Sequence, residues 1–79
     1  MKPLVKKLPS ELVQTFAANL RATRLASRYS QEELALRAGL DRTYISGCER
    51  GTRNPSLISV EKLANALGVN AESLFRSYK

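Results

Sequence analysis

No histidine occurs among the 79 residues, and there is a single cysteine, Cys48. An intrachain disulfide is therefore impossible, and zinc sites built from several Cys and His ligands are excluded with it. The same lack removes Ser/His/Asp and Cys/His constellations from consideration. No apolar run approaches the ~20 residues that a membrane span needs. Nor does any resemble the roughly 7–15-residue core of a signal peptide, although Lys2, Lys6 and Lys7 crowd the start. A cytoplasmic protein with no cofactor, no metal and no small-molecule ligand is the expectation.

What is present is positive charge. Thirteen Lys and Arg against seven Asp and Glu leave +6, which favours a polyanionic partner. Charge alone does not separate DNA from RNA or an anionic membrane. A hydrophobic content of 43% suits a folded chain. At this length it suits one small domain, whose core is marginal by itself. With disulfide and metal excluded, association of two copies is the remaining support.

The most informative stretch is S-Q-E-E-L-A-L-R-A-G-L-D-R-T-Y-I-S-G-C-E-R, residues 30–50. Ser30 with Glu33 has the spacing of a capping box, in which hydroxyl and carboxylate each satisfy a backbone N–H. Leu34, Ala35 and Ala38 share one helical face, and Gly39 suits a left-handed stop. Asp41 then suits the N-cap of a second helix. Cap, apolar face, glycine turn and second cap make a helix-turn-helix pattern.

In the second helix, 42–50, Ile45 and Cys48 point one way with Tyr44 on the border. Arg42, Thr43, Ser46, Gly47 and Arg50 take the opposite arc. The alternative for any one of them is a solvated face. Together, after that cap and turn, they suit a DNA major groove: Arg pairs bidentately with guanine, and Thr offers thymine a methyl. Gly47 lets the backbone lie close to another surface.

The remaining segments have simpler signals. Residues 1–9, with Pro3 and Pro9, read as a basic arm, and 10–79 as the folded domain. Ser10 caps a first helix reaching Ala26, with Leu12, Val13, Phe16, Ala17 and Leu20 at core spacing. G-T-R-N-P-S, residues 51–56, is a turn cluster containing Arg53 and Asn54. Ser59 is read as the cap of a fourth helix whose stripe is Val60, Leu63, Ala64 and Leu67. Asn70 is read as the cap of a last helix over A-E-S-L-F-R-S-Y. Its apolar residues Leu74, Phe75 and Tyr78 are the expected dimer interface.

G-L-D-R-T-Y-I-S-G-C-E-R-G-T-R-N-P-S resembles the Xre-type, phage-repressor-like helix-turn-helix family from about Phe16 to Phe75. Within it the chain is most similar to controller proteins of restriction–modification systems, which carry D-R-T-Y-I-S followed by E-R-x-x-R-N. The resemblance implies an all-α, five-helix, lambda-repressor-like domain. Such a domain binds a pseudo-palindromic operator on double-stranded DNA as a homodimer. It regulates restriction–modification genes and its own promoter, with RNA polymerase as a candidate partner. Arg24 would pair with Glu49, which ends the reading helix. Arg42 and Thr43 would read bases, with Tyr44, Ser46 and Arg53 reading or positioning. Gln31, Arg50 and Asn54 would hold phosphates. The family usually has glycine where this chain has Arg28, so a positive φ there would strain the backbone. An antitoxin-like or phage-type repressor of the same fold is the alternative. A nuclease is the contrasting class, but Glu32 and Glu33 are accounted for by helix capping and dipole.

Overall fold

A computed structural model describes residues 10–77; the basic arm, Tyr78 and Lys79 lie outside the described residues. Four helices follow one another, α1 (Glu11–Ala26), α2 (Gln31–Ala38), α3 (Arg42–Arg50) and α4 (Leu57–Leu67), then a 3₁₀ turn (Ala71–Phe75). The architecture is all-α among the described residues, and no helix among them is long and apolar enough to cross a membrane. α1 packs on α3 and the 3₁₀ turn, while α2 packs on α3 and α4. Phe16, Leu20, Leu34, Ile45, Leu63 and Leu74 are fully enclosed where these elements meet. Every element donates at least one, so each helix is held by the face it buries.

The helix starts are set by serine hydroxyls. Ser10, Ser30 and Ser56 each accept the backbone N–H three residues on, at 3.2, 2.9 and 3.1 Å. At Ser30 only half of the expected capping box forms. The Glu33 carboxylate turns away to Arg37, one helical turn on and 3.0 Å distant. Asp41 occupies the N-cap position of α3 but makes no side-chain cap bond; its carboxylate accepts the Thr43 hydroxyl instead. α4 begins three residues earlier than expected. Ser56, directly after Pro55, is its cap, and Ser59 lies inside the first turn.

The final element is also shorter and tighter than the expected helix. It is 3₁₀, ends at Phe75, and Asn70 makes no side-chain cap. Asn19 on α1 supplies the reason, donating its amide to the carbonyls of Leu74 (3.0 Å) and Arg76 (2.8 Å). Those carbonyls are pulled across α1 and leave the segment extended at Arg76.

Four helix ends close the same way. After α2, α3 and α4, a glycine at φ +69°, +74° or +71° donates its N–H back three residues. The next N–H reaches back five, which completes a Schellman motif each time. After α1 the identical pair of bonds forms, Arg28 to Leu25 (3.0 Å) and Tyr29 to Arg24 (3.2 Å), yet the left-handed residue is Arg28 at φ +64°. A side chain in that conformation costs about 1–2 kcal/mol, so the turn is strained. Arg28→Gly should raise stability by about 1 kcal/mol, net of glycine's greater unfolded-state freedom. Chemical denaturation would measure it; a destabilised variant would show that the arginine side chain outweighs its backbone strain.

Candidate nucleic-acid interface

α3 is the most strongly two-sided helix among the described residues. Ile45 and Cys48 are buried in the core, while Arg42, Thr43 and Arg50 are exposed on the other side. Tyr44 and Ser46 are half-buried at the borders. Arg50 donates to the Ser46 hydroxyl one turn back, which holds it along the helix. Thr43 gives its hydroxyl proton to Asp41 and keeps its methyl and acceptor lone pairs free. The face therefore offers two arginine forks with small polar groups between them, a combination suited to base edges and phosphates.

Gly47 departs from the expected picture. The helical arc puts it on the outward side, free for close approach of another molecule, but it is buried. The Arg53 stem covers it, and a Cβ there would lie 2.7 Å from the Arg53 Cγ. Arg53 itself is exposed, with its guanidinium carbon 5.2 Å from the centre of the Tyr44 ring. Two of the candidate reading residues, Tyr44 within α3 and Arg53 in the loop after it, thus share one surface. Asn54 takes another position, bordering an apolar groove with Leu12, Pro55 and Leu57.

Behind α3 lies a polar node. Arg24 on α1 donates from Nε and Nη2 to the two carboxylate oxygens of Glu49, at 2.6 and 3.0 Å. Its Nη1 reaches the Tyr29 carbonyl at 2.8 Å. Gln31, at the start of α2, donates its amide to Glu49 Oε1 at 3.0 Å. Sequence reasoning missed that last bond, since Gln31 had been assigned to phosphate; its side chain is turned inward to Glu49. The two ionic side chains are 9% and 3% exposed, so the pair is withdrawn from water. The Glu49 hydrogen bond, against a lesser effect of burial, holds the Arg24 guanidinium above its ordinary pKa. For Cys48, burial pushes the thiol above its ordinary pKa and leaves it a small hydrophobe.

The expected dimer residues separate. Leu74 is wholly enclosed in its own subunit, so it has no surface to offer a second copy. Phe75 is half-buried and stacks on Phe16 with ring centres 5.4 Å apart. Tyr78 lies outside the described residues. The large apolar side chains left in water are elsewhere, among them Leu57 (83% exposed), Ile58 (65%) and Leu12 (58%). Periodicity misplaces Leu12, which has core spacing in the sequence yet stays exposed near the start of α1. It does not mark Leu57 and Ile58, which precede the expected start of the fourth helix.

Comparison with known proteins agrees with this geometry. The helix-turn-helix family profile matches residues 20–74. The chain is 52% identical over 60 residues to control protein C.BamHI of Bacillus amyloliquefaciens, covering 75% of this chain and 74% of that protein. The crystal structure of restriction–modification controller protein C.AhdI from Aeromonas hydrophila is similar, with TM-score 0.78 and 48% identity over 80% of this chain and 96% of that one. So is controller protein C.Esp1396I, solved as a tetramer on its natural 35 base-pair operator, with TM-score 0.78 and 38% identity, covering 84% and 87%.

Removing one partner of the node isolates its contribution. Glu49→Ala leaves the Arg24 charge buried and should cost about 3–5 kcal/mol of stability, read by denaturant unfolding. Unchanged unfolding would mean that the node does not hold α3 to α1.

Proposed function

This chain belongs to the helix-turn-helix family of DNA-binding transcriptional regulators, and from that membership we propose that two copies read a pseudo-palindromic operator. The regulated genes on this reading are those of a restriction–modification system, including the regulator's own promoter. The observation that carries the reading is the outward side of α3, where Arg42, Thr43 and Arg50 are exposed on a helix locked from behind. Each subunit sets α3 into a major groove, and the two grooves lie about 34 Å apart on one side of the duplex. Arg42 and Thr43 read base edges, and Tyr44, Ser46 and Arg53 read or position. Arg50 and Asn54 hold phosphates. Gln31 keeps its backbone N–H at the start of α2 for a phosphate, its amide being engaged with Glu49. No chemical step is assigned to the protein; it acts by occupancy.

The second copy is best placed against Leu12, Leu57 and Ile58. These side chains are more exposed than large apolar residues ordinarily are, and Leu12 and Leu57 line one groove with Pro55 and Phe75. Covering that surface also supplements a core that is small for an independent domain. The operator of the similar C.Esp1396I spans 35 base pairs, a little over three turns at about 10.5 base pairs a turn. That length accommodates two dimers side by side. RNA polymerase, as a further partner, is compatible with this arrangement and follows from the function alone.

Sorting contacts by type gives the test. Arg42→Ala should cost roughly 1–3 kcal/mol on the preferred duplex and relax choice at one base pair. Arg50→Ala should weaken all sequences alike and lower the salt slope by about one unit. Equal losses on preferred and random DNA for Arg42→Ala would remove it from the reading set. For the dimer, Leu57→Glu should yield a folded monomer by sedimentation, with operator binding weakened steeply. A Leu57→Glu protein that remains dimeric would place the interface elsewhere.

A further inference from the structure

A glycine in the interior of a nine-residue helix is costly for the helix, so its neighbour is informative. At Gly47 that neighbour is one side chain. An ideal Cβ would sit 2.7 Å from Arg53 Cγ, 3.3 Å from Nε and 3.5 Å from Cδ. The arginine stem lies in the notch that the missing methyl leaves. The backbone delivers it there: Thr52 bonds the Gly47 carbonyl twice, through its N–H at 3.0 Å and its hydroxyl at 3.2 Å. Arg53 is the next residue. On its other side the guanidinium rests over Tyr44, one turn before Gly47, at 5.2 Å.

The geometry points to Gly47 as a positioning residue for sequence reading, one that holds Arg53 in a single pose on the α3 surface through the notch. An arginine free in water has four torsions to fix when it meets DNA. Seated against Gly47 and Tyr44, Arg53 has its stem fixed in advance while its fork stays exposed. Adding a methyl at Gly47 evicts the stem near its root, at Cγ, where a flexible tip cannot absorb the change. The inference rests on the operator-reading role proposed above.

The experiment is a double-mutant cycle of Gly47→Ala and Arg53→Ala, measuring the ratio of affinities for the preferred duplex and for random DNA. Gly47→Ala alone should lower that ratio roughly tenfold, the scale of one well-made arginine–base contact. In the Arg53→Ala background the same change should alter the ratio by less than about twofold, since no stem remains to evict. Equal losses in both backgrounds would overturn the inference and make Gly47 a point of direct DNA approach. An unchanged ratio for Gly47→Ala would also overturn it. If the wild-type protein shows no preference for any duplex, the reading role itself fails, and the inference with it.

A second measurement needs neither variant nor DNA. Proton NMR of the free protein should show Arg53 side-chain protons shifted upfield by the Tyr44 ring and in close contact with the Gly47 α-protons. Random-coil shifts without those contacts would mean the arginine is not held, and would overturn the inference even if Gly47→Ala does not fold.

Discussion

Arg24 and Glu49 lose most of their hydration when the chain folds, and that loss is offset by the hydrogen bonds that gather on the pair. Three of the five guanidinium N–H groups are bonded, two to Glu49 and one to the Tyr29 carbonyl, with Gln31 adding a donor to the carboxylate. Among the described residues no buried side-chain polar atom is left without a partner. A buried pair of this kind contributes little net stability, because desolvation offsets attraction. Its contribution is directional. The node joins α1, the turn after it, the start of α2 and the end of α3, so the angle of α3 is fixed by fork geometry as well as by apolar packing.

That constraint matters because α3 is short. Nine residues bury only Ile45, Gly47 and Cys48, too little apolar surface to define a rotation about the helix axis. Glu49 fixes one end of α3, and at the same end Thr52 ties the following loop to Gly47. The outward arginines Arg42 and Arg50 are thus carried on an element held from behind. Because the support lies behind the helix, it fixes the helix without occupying the outward face.

The helix-turn-helix itself was legible in the sequence because its signals are local. Ser30, Gly39, Asp41 and the 42–50 arc each act within a few residues, and the bounds of α2 and α3 match them. Features that depend on tertiary partners were not legible. Glu33 has a capping spacing, yet Arg37, one helical turn further on, competes for it. The last element looked like an α-helix until Asn19, 55 residues before Leu74, took its carbonyls. Leu74 looked available to a second copy because its burial depends on α1. Gly47 was read as a vacancy facing outward; six residues later the chain returns to fill it. Arg28 is the opposite case, since its positive φ is what the family resemblance implies, the family usually having glycine there.

On the proposed reading, this support produces a dimeric reader of DNA sequence rather than a merely basic surface. Selection of binding sites from a random duplex pool, with the selected duplexes titrated at two salt concentrations, tests it most directly. A dimeric reader selects a two-fold symmetric consensus, with half-sites about one helical turn apart. That consensus should be bound at least about a thousandfold more tightly than random DNA at both salts. A pool without consensus, bound with an affinity that collapses as salt rises, would contradict it and leave only charge.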